Sequence, residues 1–391
     1  MKIAVCGCGI GGLATAILAR RAGFEVTLFD QFTTPEPVGS GLVIQPVGLR
    51  VLEQIGAAKE VLSKGAKGYH MIGQEAKTGR TVLDVSYGPV GGPDFGLGIH
   101  RASLFEALLS VATNDQIEIK KQHRVTSSHA NEQGRFVSFE TAETMGPYDL
   151  VVDTTGAKSP LSTLVSNPLP FGAIWSTVNW PDNTKLPYNQ LRQRYRRASN
   201  MIGVLPIGTL PGDAQPKAAL FWSLPRTEIE SWRASPIEDW RAKAIALWPE
   251  LAPFTDQITD HAQMTTAVYT HGSLRKPYGD RIVHIGDAAH RASPQLGQGA
   301  NMALLDAAAL VKCLEQYSIE CALKKYVRAR WLHTNTYQAM SWAFTPMYQS
   351  NSRVLPLLRD IILSPISKIY PVSAILTSMV KGSLINPMRG L

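Results

Sequence analysis

The sequence predicts an α/β protein in which a parallel-sheet nucleotide-binding domain is interrupted by a mainly antiparallel sheet domain and followed by a helical tail. Three observations carry that reading. A strand, glycine turn, helix and second strand open the chain between Lys2 and Phe29. Short alternating apolar runs fill residues 160–275. A second glycine cluster joins a buried strand to a helix between Gly286 and Asn301. The 391 residues are long enough for roughly two or three domains with sizeable cores. With 45% hydrophobic and 18% charged positions, the composition excludes intrinsic disorder. Four cysteines cannot staple a chain of this size, so a reducing, cytoplasmic setting is the expectation. No secretory signal and no apolar run of ~18 to 20 residues is legible, so no transmembrane segment is expected. The formal charge of +8 points to anions: phosphates, acidic substrates or an anionic membrane face. No nucleic-acid partner is expected.

Taken in order, Lys2 to Cys6 reads as a buried strand and Leu13 to Ala22 as a helix ended by Gly23. Between them lies Gly7-Cys8-Gly9-Ile10-Gly11-Gly12, and Glu25 to Phe29 is a second strand closed by Asp30. This is the G-x-G-x-x-G pattern in its full context. Gly7 permits the tight turn, Gly9 lets the backbone approach a pyrophosphate, and Gly12 lets helix and strand pack closely. The helix start offers unpaired N–H groups to phosphates, and Asp30 can hold two ribose hydroxyls. Cys6 and Cys8 have no partner cluster, so no metal site is expected. Val47 to Ile55 is a short helix capped by Gly56. Residues 68 to 100 are turn-rich. His100-Arg101-Ala102-Ser103 opens a helix, and residues 117 to 159 read as strands broken at Gly156.

Strands are expected at Ala173 to Trp180, Met201 to Leu205, Ala218 to Leu224 and Met264 to Tyr269, with a helix from Pro236 to Leu247. Trp175, Phe221 and Trp222 on these strands, with Pro294, are candidates for an apolar substrate pocket. Arg192, Arg194 and Arg196 alternate along one strand face, which is either solvated or an anion or partner patch. Arg281 to Ile285 is a parallel-type strand and Gly299 to Leu314 a strong helix. Gly286-Asp287 and the stretch Pro294, Gly297, Gln298, Gly299, Ala300, Asn301 form the corner between them. An aspartate there can accept polyol hydroxyls, and the helix start can face an electron-rich ring edge. A packing corner is the plain alternative for these residues taken alone. His290 is either a base or a packed histidine. In the tail, Pro356, Pro365 and Pro371 break an apolar stretch into short helices. It packs on the body, meets a second copy in a homodimer, or touches a membrane shallowly with Lys368, Lys381 and Arg389.

Gly7 to Gly12 with Asp30, Arg101 at a helix start, and Gly286-Asp287 through Asn301 together resemble the single-component FAD-dependent aromatic hydroxylases, the para-hydroxybenzoate and salicylate hydroxylase-like monooxygenases. The resemblance spans residues 1 to about 314. It implies a Rossmann-like FAD-binding domain at residues 1–67, 100–159 and 276–350, a substrate domain at 68–99 and 160–275, and a tail at 351–391. Asp287 would then bind the ribityl chain, the Gly297 to Asn301 amides would face the flavin ring, and Arg101 would reach the phosphate or ribityl region. The implied reaction is hydroxylation of a small aromatic substrate by O2 through a flavin hydroperoxide, with NADH or NADPH as transient reductant. The same scaffold also serves FAD oxidoreductases that insert no oxygen, and a silent flavin-binding partner protein is a further alternative. One motif departs. The family's Gly-Ala-Asp-Gly-x-x-Ser-x-x-Arg is matched by Asp153-Thr154-Thr155-Gly156-Ala157-Lys158-Ser159-Pro160-Leu161-Ser162, where Thr155 replaces the acid and Ser162 the arginine. FAD has other anchors, so the departure bears on the nicotinamide route.

Overall fold

The computed structural model describes residues 1–34 and 40–391. The chain builds two main sheets. The first has six strands in the order Tyr278–Gly279, Ile282–His284, Leu150–Asp153, Lys2–Cys6, Glu25–Phe29, Glu118–Lys120. All run parallel except Tyr278–Gly279 at the edge. Ile3 and Val5 point into one core with helices Ile10–Arg21 and Gly299–Leu314. Ala4 and Cys6 point the other way, onto Val125, Val137 and Phe139 of a small antiparallel sheet. A strand covered on both faces has no polar side to show, which is why Ile3 to Cys6 reads as a continuous apolar run. Each such buried Ile, Leu or Val contributes ~1.5–3 kcal/mol.

The second sheet has seven strands: Met264–Thr270, Pro168–Asn179, Lys217–Pro225, Asn200–Gly208, Gln190–Arg196, His70–Glu75, Thr81–Ser86. Its pairs are antiparallel apart from Gln190–Arg196 with His70–Glu75. Alternation divides its side chains cleanly. Ile174, Ile202, Leu220 and Trp222 face a core closed by Trp232 and Trp240 of helices Ile229–Ala234 and Ile237–Leu247. Trp175, Leu191, Met201 and Phe221 face the other way.

A helix of 30 residues, Ile319–Tyr348, spans both halves. Its first turns bury Ala322, Leu323 and Tyr326 in the core of the parallel sheet, and Tyr348 at its end packs with Tyr195 beside the second sheet. Sequence periodicity does not announce it, because its buried face also carries Arg330, His333, Thr334 and Ser341. The tail forms Leu355–Leu358, Ser364–Ser367 and Val372–Lys381. Ser364 and Thr377 donate to the carbonyls of Thr81 and Ser86, and Lys381 pairs with Asp94 at 2.8 Å, so the tail is docked on the edge of the second sheet. Its outer side leaves Leu357, Ile361, Ile369 and Tyr370 exposed. Among the described residues no single helix is long and apolar enough to cross a membrane, and Leu355–Ser367 meets Val372–Lys381 at 100°.

Candidate functional site

One cavity of about 1770 Å³ runs from the first glycine turn to the inner face of the seven-stranded sheet. A single small-molecule pocket holds ~300–1,000 Å³, so the space accommodates more than one ligand. At one end it is lined by Gly7, Gly9, Ile10 and Gly11. Gly7 has φ +108°, and a Cβ on Gly12 would lie 1.8 Å from the Gly7 carbonyl oxygen. Gly12 is therefore a packing residue, off the cavity wall, set by the closeness of helix and turn. A Cβ on Gly9 would meet no protein atom within 4 Å, because that position opens into the cavity. The Asp30 carboxylate accepts the N–H groups of Cys8 and Phe32, which fixes it at the strand end on the wall. Arg101, the first residue of helix Arg101–Asn114, is exposed and also lines the cavity.

The second corner sits opposite. Gly286 donates its N–H to Asp306 (3.0 Å), and Asp287 lies on the wall with Pro294, Gly297, Gln298, Gly299 and Ala300. Asn301 departs from the expected placement. Its side chain turns inward, accepts the Gln45 N–H at 2.8 Å and donates to the carbonyls of Val43 and Gly297. It ties the Val43–Gln45 segment to the turn before its own helix because an amide buried at 0% exposure must satisfy both its ends. His290, also on the wall, is bonded through Nε2 to Asp306 at 2.6 Å, and Arg330 Nε reaches the other oxygen at 2.7 Å. Burial alone would raise the Asp306 carboxyl, but the His290 and Arg330 charges outweigh it and hold it well below the usual carboxylate range. Arg330 continues to His333 (3.3 Å), whose Nε2 donates to the Gly382 carbonyl. The corner is thus anchored to the long helix and the start of the final loop.

The departing motif has its own polar arrangement. Asp153 ends strand Leu150–Asp153, two residues before Thr155, and its side chain is fully buried. It accepts the Thr155 N–H and hydroxyl, the Ser159 hydroxyl and His284 Nδ1. Burial opposes its charge, yet these hydrogen bonds, that of His284 first, keep its carboxyl below the ordinary value. Ser162 donates to the Ala288 carbonyl at 2.6 Å, linking this turn to the Gly286–Asp287 corner. Lys158, exposed in the same turn, lines the cavity.

The far end is formed by Trp175 and Phe221, whose ring centroids are 4.8 Å apart, with Tyr269, Leu191, Gln193 and Met201. Trp222 is not on this wall. It lies one residue from Phe221 on the same strand, so it points to the opposite face and packs against Trp240 at 6.4 Å. Arg192 and Arg194 are likewise turned outward, both bonded to Gln74, and Arg194 stacks over Trp248. Sequence reasoning missed Tyr337, Gln338 and Ser341, which the long helix presents to the cavity. The repeat Tyr337, Ser341, Thr345 at intervals of four was the available signal for one polar helix face.

A family model described as FAD binding domain matches residues 1–330. The chain is 25% identical over 338 residues to the 3-amino-4-hydroxybenzoate 2-monooxygenase of Streptomyces cremeus, covering 81% of this chain and 79% of that protein. It is 24% identical over 381 residues to the 6-hydroxynicotinate 3-monooxygenase of Pseudomonas fluorescens, covering 88% and 94%. In fold it is similar to the crystal structure of Klebsiella pneumoniae HpxO complexed with FAD and uric acid, with a TM-score of 0.81 at 17% identity, covering 99% and 97%. With the matched model extending over both glycine corners and the sheet between them, the chain belongs to the FAD-binding-domain family of flavoprotein monooxygenases.

Proposed function

We propose that this protein hydroxylates a small aromatic substrate, consuming O2 and NADH or NADPH. In balance, the substrate, O2, NAD(P)H and a proton give the hydroxylated product, water and NAD(P)⁺. The observation that carries the reading is the continuity of the cavity from the Gly7 to Gly11 turn, past Asp287, to Trp175 and Phe221.

The residues fit FAD. A Cβ at Gly9 or Gly299 would meet no protein atom within 4 Å, so both helix starts leave open space for a pyrophosphate and a flavin edge. Asp30 serves the adenosine ribose, Asp287 the ribityl hydroxyls, and Arg101 and Lys158 the phosphates. When bound, FAD supplies hydride acceptance and oxygen activation. The protein supplies position and electrostatics. The start of helix Gly299–Leu314, on the cavity wall, would present its positive end to a bound flavin ring. Trp175, Phe221 and Met201 exclude water from the reacting face. Nothing here calls for a side-chain nucleophile. Residues 1–67, 100–159 and 276–350 serve the cofactor, and 68–99 and 160–275 the substrate. We assign a cytoplasmic setting, and place any contact with a second copy or a membrane on the exposed side of residues 351–391.

The test is direct. The purified protein is expected to be yellow with FAD and to consume O2 in step with formation of a hydroxylated product when aromatic compounds are screened. A colourless protein that ignores added FAD, or reduction of the flavin with no oxygen in any product, would overturn the reading.

A further inference from the structure

The two ends of the cavity differ in charge. Asp30, Arg101, Arg124, Glu140, Lys158 and Asp287 all stand on the cofactor side or on the small sheet beside it. The seven-stranded sheet and the long helix contribute no Asp, Glu, Lys or Arg to the wall among the described residues. Residues 35–39 read Pro, Glu, Pro, Val, Gly and include no cation.

Among the described residues, the basic side chains of the strands and helices around the chamber are turned away from it or held by other groups. Arg192 and Arg194 flank Gln193 on its strand, so a one-residue shift in register would have put two guanidinium groups in the chamber. The observed register turns them to Gln74 and Trp248. Arg359 lies over the rings of Tyr195 and Tyr348 at 5.0 and 5.1 Å and pairs with Asp360 at 2.6 Å. His290 is bonded to Asp306. His271, beyond Ser293, is held toward its neutral form by burial. A substrate carboxylate in this chamber would lose its water and gain no counter-ion.

Polar side chains on this wall include Gln193, Gln338 and Ser341, and Tyr269 stands among them directly beside the Trp175 and Phe221 rings. The Tyr269 hydroxyl accepts the indole N–H of Trp175 at 2.8 Å and donates to no described residue. Burial pushes this phenol up to about 12, against the smaller opposing effect of the Trp175 hydrogen bond, so it keeps its proton.

We propose that the substrate is an uncharged, apolar aromatic compound without a carboxylate, whose single ring carbonyl or phenol oxygen accepts a hydrogen bond from Tyr269. This rests on the monooxygenase reading and narrows it. The FAD-loaded protein is titrated with 2-naphthol and with 3-hydroxy-2-naphthoate, following tryptophan fluorescence and the flavin spectrum. The neutral probe is expected to bind at least about tenfold tighter, by the cost of burying an unpaired charge. Tyr269→Phe is expected to weaken 2-naphthol about two- to tenfold while FAD affinity holds, the loss of one neutral hydrogen bond. Thr265→Arg, at an exposed position on the chamber wall, is expected to raise naphthoate affinity about tenfold. Equal or tighter binding of naphthoate by the unmodified protein overturns the proposal, and so does binding of neither probe. Product mass, scored separately, keeps the two readings apart. Neutral preference with no oxygenated product removes the monooxygenase reading alone, whereas a hydroxylated naphthoate removes the chamber assignment alone.

Discussion

The cofactor end and the chamber end of the cavity are built by opposite means. The cofactor end consists of turns. Gly7, Gly9, Asp30, Gly286 and Asp287 each stand at the end of a parallel strand, and their backbone amides are as much a part of the site as their side chains. The chamber end consists of strand interiors, where Trp175, Gln193, Met201 and Phe221 each come from a different strand and share only a direction. A site made of turns tolerates almost no change of backbone. A site made of strand faces changes specificity by single side chains and leaves the scaffold intact. The following substitutions break or sharpen that contrast.

The largest effect is expected from Gly12→Ala. Its Cβ would lie 1.8 Å from the Gly7 oxygen, which is backbone and cannot move aside. A loss above ~4 kcal/mol, or no folded protein at all, is expected from overpacking of this kind. Gly9→Ala, three residues earlier, meets no protein atom and should melt like the original chain without FAD while failing to bind it. Melting curves with and without FAD decide this. Identical apo melting of the two variants would show that the turn is not the rigid part.

Next comes the buried ion cluster behind the Gly286–Asp287 corner. Arg330→Met removes the guanidinium from the Asp306 carboxylate, itself 0% exposed, and leaves it bonded to His290 and the Gly286 N–H. Breaking a buried pair in this way costs about 3–5 kcal/mol. Denaturant unfolding measures it. A loss under 1 kcal/mol would mean that the corner does not depend on its anchor.

The same cluster carries a pH dependence. Burial first, then the Arg330 charge, lowers His333 to about 4, and its Nδ1 already accepts from Arg330. The folded protein therefore prefers neutral His333, so the unfolded chain binds more protons between the two pKa values. This contribution is complete above the unfolded value of ~6.5 and is lost as pH falls toward 4, amounting to roughly 3 kcal/mol. His333→Gln should keep the bond to the Gly382 carbonyl and lose this part of the acid sensitivity, read from stability at pH 7.5, 6, 5 and 4.5. An unchanged slope would place the sensitivity elsewhere.

The smallest effects are confined to ligands. Asp287→Ala and Lys158→Ala are each expected to weaken FAD about ten- to a hundredfold through loss of a charge-assisted contact, ~1.5–3 kcal/mol. Apo stability and 2-naphthol binding to the FAD-saturated protein should stay as they were. At a hundred times the dissociation constant FAD adds ~2.7 kcal/mol to stability, so the change is visible as a smaller FAD-dependent melting shift. Trp222→Leu gives the mirror image, losing fold stability and leaving both ligands untouched, because that side chain faces Trp240.

By itself, the sequence determined the class of fold and the two glycine corners to which the cofactor is assigned. G-x-G-x-x-G, Asp30 and the Gly286–Asp287 corner are contiguous in the chain, and the physics that demands them is local: a tight turn, a close backbone approach, a free helix start. Strands such as Lys2–Cys6 and Glu25–Phe29 were legible to the residue, because after an exposed charged first residue each is buried along its length and mostly apolar. Only the tertiary structure decided the chamber. Trp175 and Trp222 are equivalent by composition, and which one meets the cavity depends on strand phase relative to a partner far away in sequence. The long helix was illegible for a related reason. Its polar residues are buried against partners at Asp306, Pro387 and Gly382, so an apolar period never forms. Asp153 shows both limits at once. It reads as a strand end in the sequence, and becomes a fully bonded carboxylate beside Thr155 only when His284, on a strand 131 positions later, is laid next to it in the sheet.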